Sequence, residues 1–295
     1  MKQMTGLMVA AALAACGALV HAQDLALPAL TAQAAPAGAA SQSATAAPDA
    51  TASCAYNFSV AGPLNSFLKY CVTVNGNIVS FNSPSGNDQL IQGTPGEGYG
   101  ICDFNTGARY FDYAGFGDSG NWNPPVLVAL SGASVKIART TSDGAWTLTQ
   151  TITKTSGKSP NATVSMALKN NSSIQKEFYL FRYADVDPAD ANATGNFGES
   201  FDSTVYSAWG YEALNSGRPA IGLKLTILGQ PSPSSVPFNF EALDQNISSG
   251  PTDPCNPGAN YAGLTTGTDG SVVALWVAIL NPHQIGTFNS KYEMF

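Results

Sequence analysis

Short runs in which apolar and polar residues alternate, separated by turn residues, continue along most of residues 54–295. Successive side chains of an extended strand point to opposite faces, so this alternation predicts strands with one apolar face. In the clearest run, Trp146, Leu148 and Ile152 share one face and threonines occupy the other. No stretch longer than three turns has the 3.6-residue apolar period of a helix. The sequence therefore predicts a chain built almost entirely of strands.

Turn residues separate these runs. Asn75-Gly76 and Asp143-Gly144 each lie between two predicted strands. Because these residues tolerate the positive φ angles of tight turns, both pairs predict β-hairpins. Many short strands joined in this way predict an all-β fold, a large antiparallel two-sheet sandwich over residues 54–295. A β-barrel and two smaller sandwiches are the alternatives that the pattern leaves open.

The first 22 residues have the features of an export signal. Lys2 precedes an apolar run at 7–15, and small residues close the segment. The apolar run is shorter than a membrane span, which needs about 20 apolar residues. A second interpretation is a lipoprotein signal, because residues 13–16 have the form of a lipobox and Cys16 would then carry the lipid. Either signal predicts export, with the protein periplasmic, extracellular or lipid-anchored at the cell envelope.

The next segment, residues 23–53, is rich in Ala with scattered Pro, Ser and Thr. It lacks a periodic apolar face, and its small side chains bury too little surface to offset the entropy of ordering. We therefore predict a disordered spacer between the leader and the β-sandwich domain.

Four cysteines follow the spacer: Cys54, Cys71, Cys102 and Cys255. An even number of cysteines in an exported chain predicts two disulfides, with three connectivities open. No pair has the close C-x-x-C spacing of a zinc site, so disulfides are favoured over metal binding.

Charge and histidine content exclude several function classes. The 20 acidic residues outnumber the 13 basic ones, and the formal net charge is -7. Such a chain lacks the clustered Lys and Arg that bind a nucleic-acid backbone, so we expect no nucleic-acid partner. Of the two histidines, His21 lies in the leader. Only His283 remains, which disfavours charge-relay triads and histidine-rich metal sites.

Residues 96–123 combine glycines, aromatic residues and carboxylates, a mixture suited to a glycan-binding groove. Aromatic rings stack on the apolar faces of sugars, while carboxylates and amides bond their hydroxyl groups. The predicted binding residues are Tyr99, Tyr110, Asp112 and Trp122. A second interpretation is that the aromatic side chains fill the core of a β-rich protein.

Two groups of carboxylates are candidates for chemistry. Glu97 and Asp103 are candidate catalytic residues, because glycoside hydrolysis uses one carboxyl group as acid and another as base or nucleophile. A second, denser group follows a predicted strand, and its members are Asp185, Asp187, Asp190 and Asn192. These oxygen ligands predict a structural Ca²⁺ site, although their spacing differs from an EF-hand loop. A structural ion-pair network is the alternative for this group.

These observations favour a non-enzymatic exported module that binds a carbohydrate or another envelope component, or that has a structural role there. The alternative is a carboxylate-dependent enzyme of the glycoside hydrolase type acting on polysaccharide. Apart from the candidate Ca²⁺, we expect no cofactor. We expect membrane contact only through a lipid on Cys16, and the pattern does not predict an oligomeric state.

Overall fold

The structure, a computed structural model, describes most of the predicted domain. The described residues are 53–62, 67–82, 88–90, 96–187, 197–212, 221–245, 253–255, 265–266 and 270–294. The leader, Cys16 and the spacer up to residue 52 lie outside them. Asp190 and Asn192 of the predicted calcium site lie outside them as well.

Strands are the only regular elements of the described residues. In the first half of the chain they are β1 (Tyr56–Ala61), β2 (Phe67–Val72), β3 (Ile78–Asn82), β4 (Gly98–Asp103), β5 (Ala108–Tyr113), β6 (Gly117–Asp118), β7 (Val126–Leu130), β8 (Ser134–Thr140) and β9 (Trp146–Thr155). In the second half they are β10 (Asn161–Asn170), β11 (Lys176–Val186), β12 (Phe197–Asp202), β13 (Ser207–Glu212), β14 (Ile221–Ile227), β15 (Phe238–Gln245), β16 (Thr265–Thr266), β17 (Gly270–Leu280) and β18 (Ile285–Met294). No helix within these ranges is long and apolar enough to cross a membrane.

Antiparallel pairing joins the strands into three sheets. A nine-stranded sheet has the order β16-β12-β13-β14-β18-β10-β9-β8-β7, and a six-stranded sheet has the order β15-β17-β11-β4-β5-β6. Strands β1, β2 and β3 form a third, small sheet. The predicted all-β antiparallel sandwich is thus confirmed, and the described strands close no barrel.

The main core lies between the two large sheets. Trp146 and Leu148 of β9 pack in one apolar cluster with Phe178 and Leu180 of β11. The rings of Trp146 and Phe178 meet nearly edge to face, with centroids 5.1 Å apart. The threonines of β9 alternate with these buried side chains and are partly exposed. Burial of each large apolar side chain contributes about 1.5–3 kcal/mol to stability.

Both predicted hairpins are present, β2–β3 and β8–β9. The first turn is buried, however, which the sequence did not indicate. Gly76 has a φ of +92°, and a Cβ atom there would lie 2.5 Å from Nε2 of Gln150 on the nine-stranded sheet. Asn75 and Asn77 are buried beside it. The small sheet therefore inserts its turn against the large ones.

Strand β7 forms one edge of the nine-stranded sheet and is exposed along its whole length. Leu127 retains 48% of its accessible surface. Its apolar side chains therefore make a smaller contribution to the core than those of β9.

Two leucines on these strands provide a test of this difference. We expect Leu148→Ala to lower the free energy of unfolding by about 2–5 kcal/mol, because it leaves a cavity in the main core. The matched change Leu127→Ala in exposed β7 should cost about 0.5 kcal/mol or less. Urea denaturation of both variants measures the two values, and equal losses would contradict the assigned core.

Candidate functional site

Two disulfides form from the four predicted cysteines. Cys54 bonds Cys71 with their Cα atoms 5.6 Å apart, and Cys102 bonds Cys255 at 4.9 Å. The second bridge ties the segment 253–255 to strand β4. Paired cysteines of this kind fit an oxidising compartment outside the cytosol.

The carboxylate of Glu97 is fully buried and accepts hydrogen bonds from three sides. Arg182 of β11 donates to both oxygens, through Nε to Oε1 and through Nη2 to Oε2 at 2.8 Å. The backbone N–H of Ile78 donates to Oε2 at 2.6 Å, and the hydroxyl of Tyr292 donates to Oε1 at 2.9 Å. Donors from the protein therefore saturate this carboxylate, and it does not face a solvent-filled groove.

Arg182 connects Glu97 to the buried hairpin turn. Its Nη2 donates to the carbonyl oxygen of Gly76 at 3.0 Å, and its Nη1 donates to Oε1 of Gln150. The Nε2 of Gln150 in turn donates to the carbonyl oxygen of Asn75 at 3.2 Å. One guanidinium group thereby bonds side chains and backbone from all three sheets.

Asp112 occupies a second buried ion pair. Its carboxylate accepts from Nη1 of Arg139 and from Nδ2 of Asn75, the latter at 2.7 Å. Nη2 of Arg139 also donates to Oδ2 of Asp118 at 2.8 Å, and Cζ of Arg139 lies 5.1 Å from the ring centroid of Trp122. These contacts make Asp112 a structural bridge between the buried turn and strand β8.

Burial dominates the protonation of both acids. It raises the pKa of Glu97 to about 6, although the charge of Arg182 and the hydrogen bonds act in the opposite direction. Burial likewise raises the pKa of Asp112 to about 6 against the charge of Arg139. An acid whose folded-state pKa is raised favours folding at low pH, and that contribution is lost as the pH rises through the folded value.

The pH dependence of stability tests this assignment for Glu97. We expect the Glu97 carboxyl to make the protein about 2 kcal/mol more stable near pH 4.5 than above pH 7, from its raised pKa. Urea denaturation at several pH values between about 4.5 and 7 gives the slope of the free energy of unfolding against pH. This slope should be smaller in Glu97→Gln, which lacks the titrating carboxyl. Glu177→Gln, which removes an exposed carboxylate of β11, is the matched control for the loss of one charge. A Glu97→Gln variant with the full wild-type slope would contradict the assignment.

Asp103, the second candidate catalytic residue, belongs to a different ion pair. It is buried at the end of β4 and contacts Nζ of Lys176. The indole N–H of Trp146 donates to Oδ2 of Asp103 at 3.1 Å. Glu97 and Asp103 therefore each have their own cationic partner, and the geometry does not bring them together as an exposed pair.

The four predicted binding residues lie in the interior. Tyr99, Asp112 and Tyr110 are almost fully buried, and Trp122 keeps 9% exposure. The ring of Trp122 meets Tyr99 and Tyr110 at centroid distances of 5.8 and 6.0 Å. This placement corresponds to the second interpretation of these aromatic residues, that they fill the core.

Strand alternation explains why other aromatic residues face outward. On β5, Tyr110 and Asp112 point to the main core, so Phe111 and Tyr113 point to the opposite face of the six-stranded sheet. We call that opposite side the outer face. Its apolar cluster is separate from the main core, and Phe111 and Tyr179 border it. Neighbouring positions of β5 thus face opposite sides of the six-stranded sheet.

The outer face carries an aromatic surface that the sequence did not single out. Its partly exposed rings are Phe111, Phe116 and Tyr179. Phe104 is 38% exposed and meets Tyr179 edge to face at a centroid distance of 4.4 Å. The ring centroids of Phe111 and Phe116 lie 6.2 Å apart. We call these four residues the outer aromatic surface.

A polar pair lies beside these rings. Strand register places Tyr179, Cys102 and Arg109 side by side on neighbouring strands, and Phe111 follows Arg109 on the same face of β5. Nε of Arg109 lies 2.6 Å from Oδ1 of Asp253, and their side chains keep 32% and 41% exposure. The Cys102 disulfide holds the segment of Asp253 at this position. Aromatic faces and exposed charged groups therefore occur together.

A glycine provides the room for the layer beneath this surface. A Cβ atom at Gly100 would lie 2.3 Å from the ring of Phe181, so only glycine allows that ring to lie over β4. The ring of Tyr113 stacks beside that of Phe181, with their centroids 6.4 Å apart. The outer aromatic surface thus rests on a buried aromatic layer.

Only two of the four residues of the predicted calcium site are among the described residues. Asp185 and Asp187 lie at the end of β11 and are largely buried, while Asp190 and Asn192 fall outside the described residues. Among the described side chains, no group of three or more His, Cys, Asp or Glu is arranged to hold a metal ion. The site remains a prediction.

Comparisons with known proteins found similarity in structure alone. No family model matches the chain, and no curated protein does. A bacterial glucoamylase complexed with acarbose aligns with a TM-score of 0.45 and 10% identity over 83% of this chain and 33% of that one. The chain therefore spans about a third of that enzyme.

Two further solved structures show the same level of similarity. A galactose mutarotase-like protein from Lactobacillus casei has a TM-score of 0.46 and 10% identity, covering 81% of this chain and all of that one. A heparan sulfate lyase from Pedobacter heparinus has a TM-score of 0.42 and 9% identity, covering 83% and 36%. At these values no residue role is transferable to this chain.

Proposed function

We propose that the protein is an exported, non-enzymatic module that binds carbohydrate through the outer aromatic surface. The observation that carries the proposal is the set of partly exposed rings on one sheet face, next to the partly exposed pair Arg109–Asp253. Rings of this kind offer a flat apolar body to the C–H face of a sugar, while charged groups nearby bond its hydroxyls.

The arrangement of polar groups supports binding through few directional contacts. Arg109 donates to Asp253 and to the carbonyl oxygen of Gly107, and Oδ1 of Asp253 also accepts the backbone N–H of Cys255. A guanidinium has five N–H donors and a carboxylate about four lone-pair sites, so both groups have more capacity than these contacts use. Sugar hydroxyl groups donate and accept, so the pair offers them both kinds of partner. In the strand register Phe111 lies two positions from Arg109 on β5, and Tyr179 lies on β11 beyond Cys102 of β4.

The state of the buried carboxylates supports a non-enzymatic role. Glu97 and Asp103 were the candidate acid and base, yet each is bonded to a cation inside the sandwich. Glycoside hydrolysis requires two carboxyl groups that flank the scissile bond of a bound sugar. A saturated, buried carboxylate does not meet that requirement.

Substitutions on the outer aromatic surface test the binding proposal. We expect Tyr179→Ala and Phe111→Ala each to weaken binding to a responsive glycan about tenfold, because each removes a stacking face. A panel of immobilised glycans identifies the responsive one, and calorimetry then measures its dissociation constant. Tyr206→Ala is the matched control, since Tyr206 is 40% exposed in the β12–β13 turn of the other large sheet.

Three outcomes would contradict the proposal. The first is a panel without any binding, which leaves a purely structural role. The second is binding that both surface variants retain in full. The third is hydrolysis of a panel glycan that Glu97→Gln abolishes in a folded protein, which would establish the enzyme alternative.

We also propose a place of action outside the cytosol, supported by the two disulfides. The two leader interpretations predict different fractions of a bacterial expression host. Cleavage after Ala22 yields a soluble mature protein, whereas lipidation of Cys16 yields one that partitions with membranes. Fractionation with a Cys16→Ser comparison distinguishes them.

A further inference from the structure

Lys176 and Asp103 form an ion pair inside the protein, at the interface between strands β4 and β11. Register pairs Phe178 with Asp103, and Lys176, the first residue of β11, lies two residues before Phe178 on the same inner face. The Lys176 side chain is 5% exposed, and that of Asp103 is fully buried. A lysine is almost never buried this far unless it is paired.

Aromatic side chains surround this pair. Nζ of Lys176 lies 5.5 Å from the ring centroid of Trp146, and the Trp146 indole N–H donates to Oδ2 of Asp103 at 3.1 Å. The ring of Phe178 meets Trp146 at 5.1 Å. Keeping two charges at this position is costly, because both side chains are removed from water.

We propose that Lys176 and Asp103 join covalently in an intramolecular isopeptide bond between Nζ of the lysine and Cγ of the aspartate. In this step the Lys176 ammonium passes one proton to the Asp103 carboxylate, and the nitrogen lone pair then attacks Cγ to form a tetrahedral intermediate. One carboxyl oxygen then leaves as water, while the other stays as the amide carbonyl. Of the three ammonium protons, two leave in the water and one remains on the amide nitrogen. Charge and atoms balance without any oxidant, reductant or co-reactant.

Donors around Asp103 are arranged to assist this step. The Trp146 N–H points at Oδ2, where negative charge develops when the nitrogen attacks, and hydrogen bonds of this kind stabilise such an oxyanion. The other oxygen, Oδ1, accepts the backbone N–H of Asn105 at 3.0 Å. Each carboxyl oxygen of Asp103 therefore has a hydrogen-bond donor that can stabilise negative charge during the attack.

A second carboxylate, Asp143, interacts electrostatically with Lys176. Burial raises the pKa of Asp143. Hydrogen bonds from Thr141 and Tyr110, each of 2.6 Å, and the positive charge of Lys176 all lower it, and their combined effect is larger than that of burial. The pKa of Asp143 is therefore below its ordinary value, and the group is ionised at neutral pH. Its negative charge attracts the Lys176 side chain and so helps to position it.

Peptide mapping of the purified full chain tests the bond. After reduction of the disulfides and proteolysis under denaturing conditions, we expect a branched peptide that contains both Asp103 and Lys176. Its mass should be the sum of the two linear peptides less one water. Denaturation separates an ion pair and leaves an amide intact, so recovery of only the two linear peptides at full mass would overturn the proposal.

Two variants make the result specific. Lys176→Arg keeps the positive charge and should yield linear peptides alone. Asp103→Asn should yield a branched peptide of the same mass as the wild type, because ammonia leaves in place of water. Circular dichroism establishes that each variant is folded, and the Asn variant tests the bond even where the Arg variant does not fold. A branched peptide that persists in folded Lys176→Arg would overturn the assignment of the nitrogen.

Discussion

The buried ion pair between Glu97 and Arg182 is the contact on which the arrangement of the three sheets depends. Arg182 lies on the six-stranded sheet, and its guanidinium bonds Gln150 of the nine-stranded sheet and the Gly76 carbonyl of the small sheet's hairpin. Glu97 accepts from Ile78 of the small sheet and from Tyr292 of the nine-stranded sheet. Two side chains thus connect all three layers.

Placing this pair inside the sandwich has an energetic consequence. Removing two charges from water costs several kcal/mol per ion, and mutual attraction offsets that cost only with well-placed additional hydrogen bonds. Glu97 has such bonds from Ile78 and Tyr292, and Arg182 has acceptors in Gln150 and Gly76. Removing one partner strands the other charge in the core. The pair therefore specifies how the sheets fit more than it adds to net stability.

Much of the fold, and little of the site, was predictable from the sequence. Alternation and turn residues predict strands and hairpins because they depend on neighbours along the chain. The ion pairs do not depend on neighbours along the chain and so left no local signal. Arg182 and Glu97 are 85 positions apart, and Lys176 and Asp103 are 73 apart. Alternation also leaves open which face of β5 points inward. The structure shows that Tyr110 points to the core.

The buried network also bears on the proposed binding surface. The inner face of the six-stranded sheet is occupied by the main core and by Glu97, Asp112 and Asp103 with their cations. Each of these carboxylates is already bonded, so none is available to a ligand without breaking an interior contact. Aromatic residues on the outer face lie under no such constraint, because their substitution does not leave a charge unpaired in the core. Recognition through Tyr179 and Phe111 is therefore compatible with an interior that stays closed.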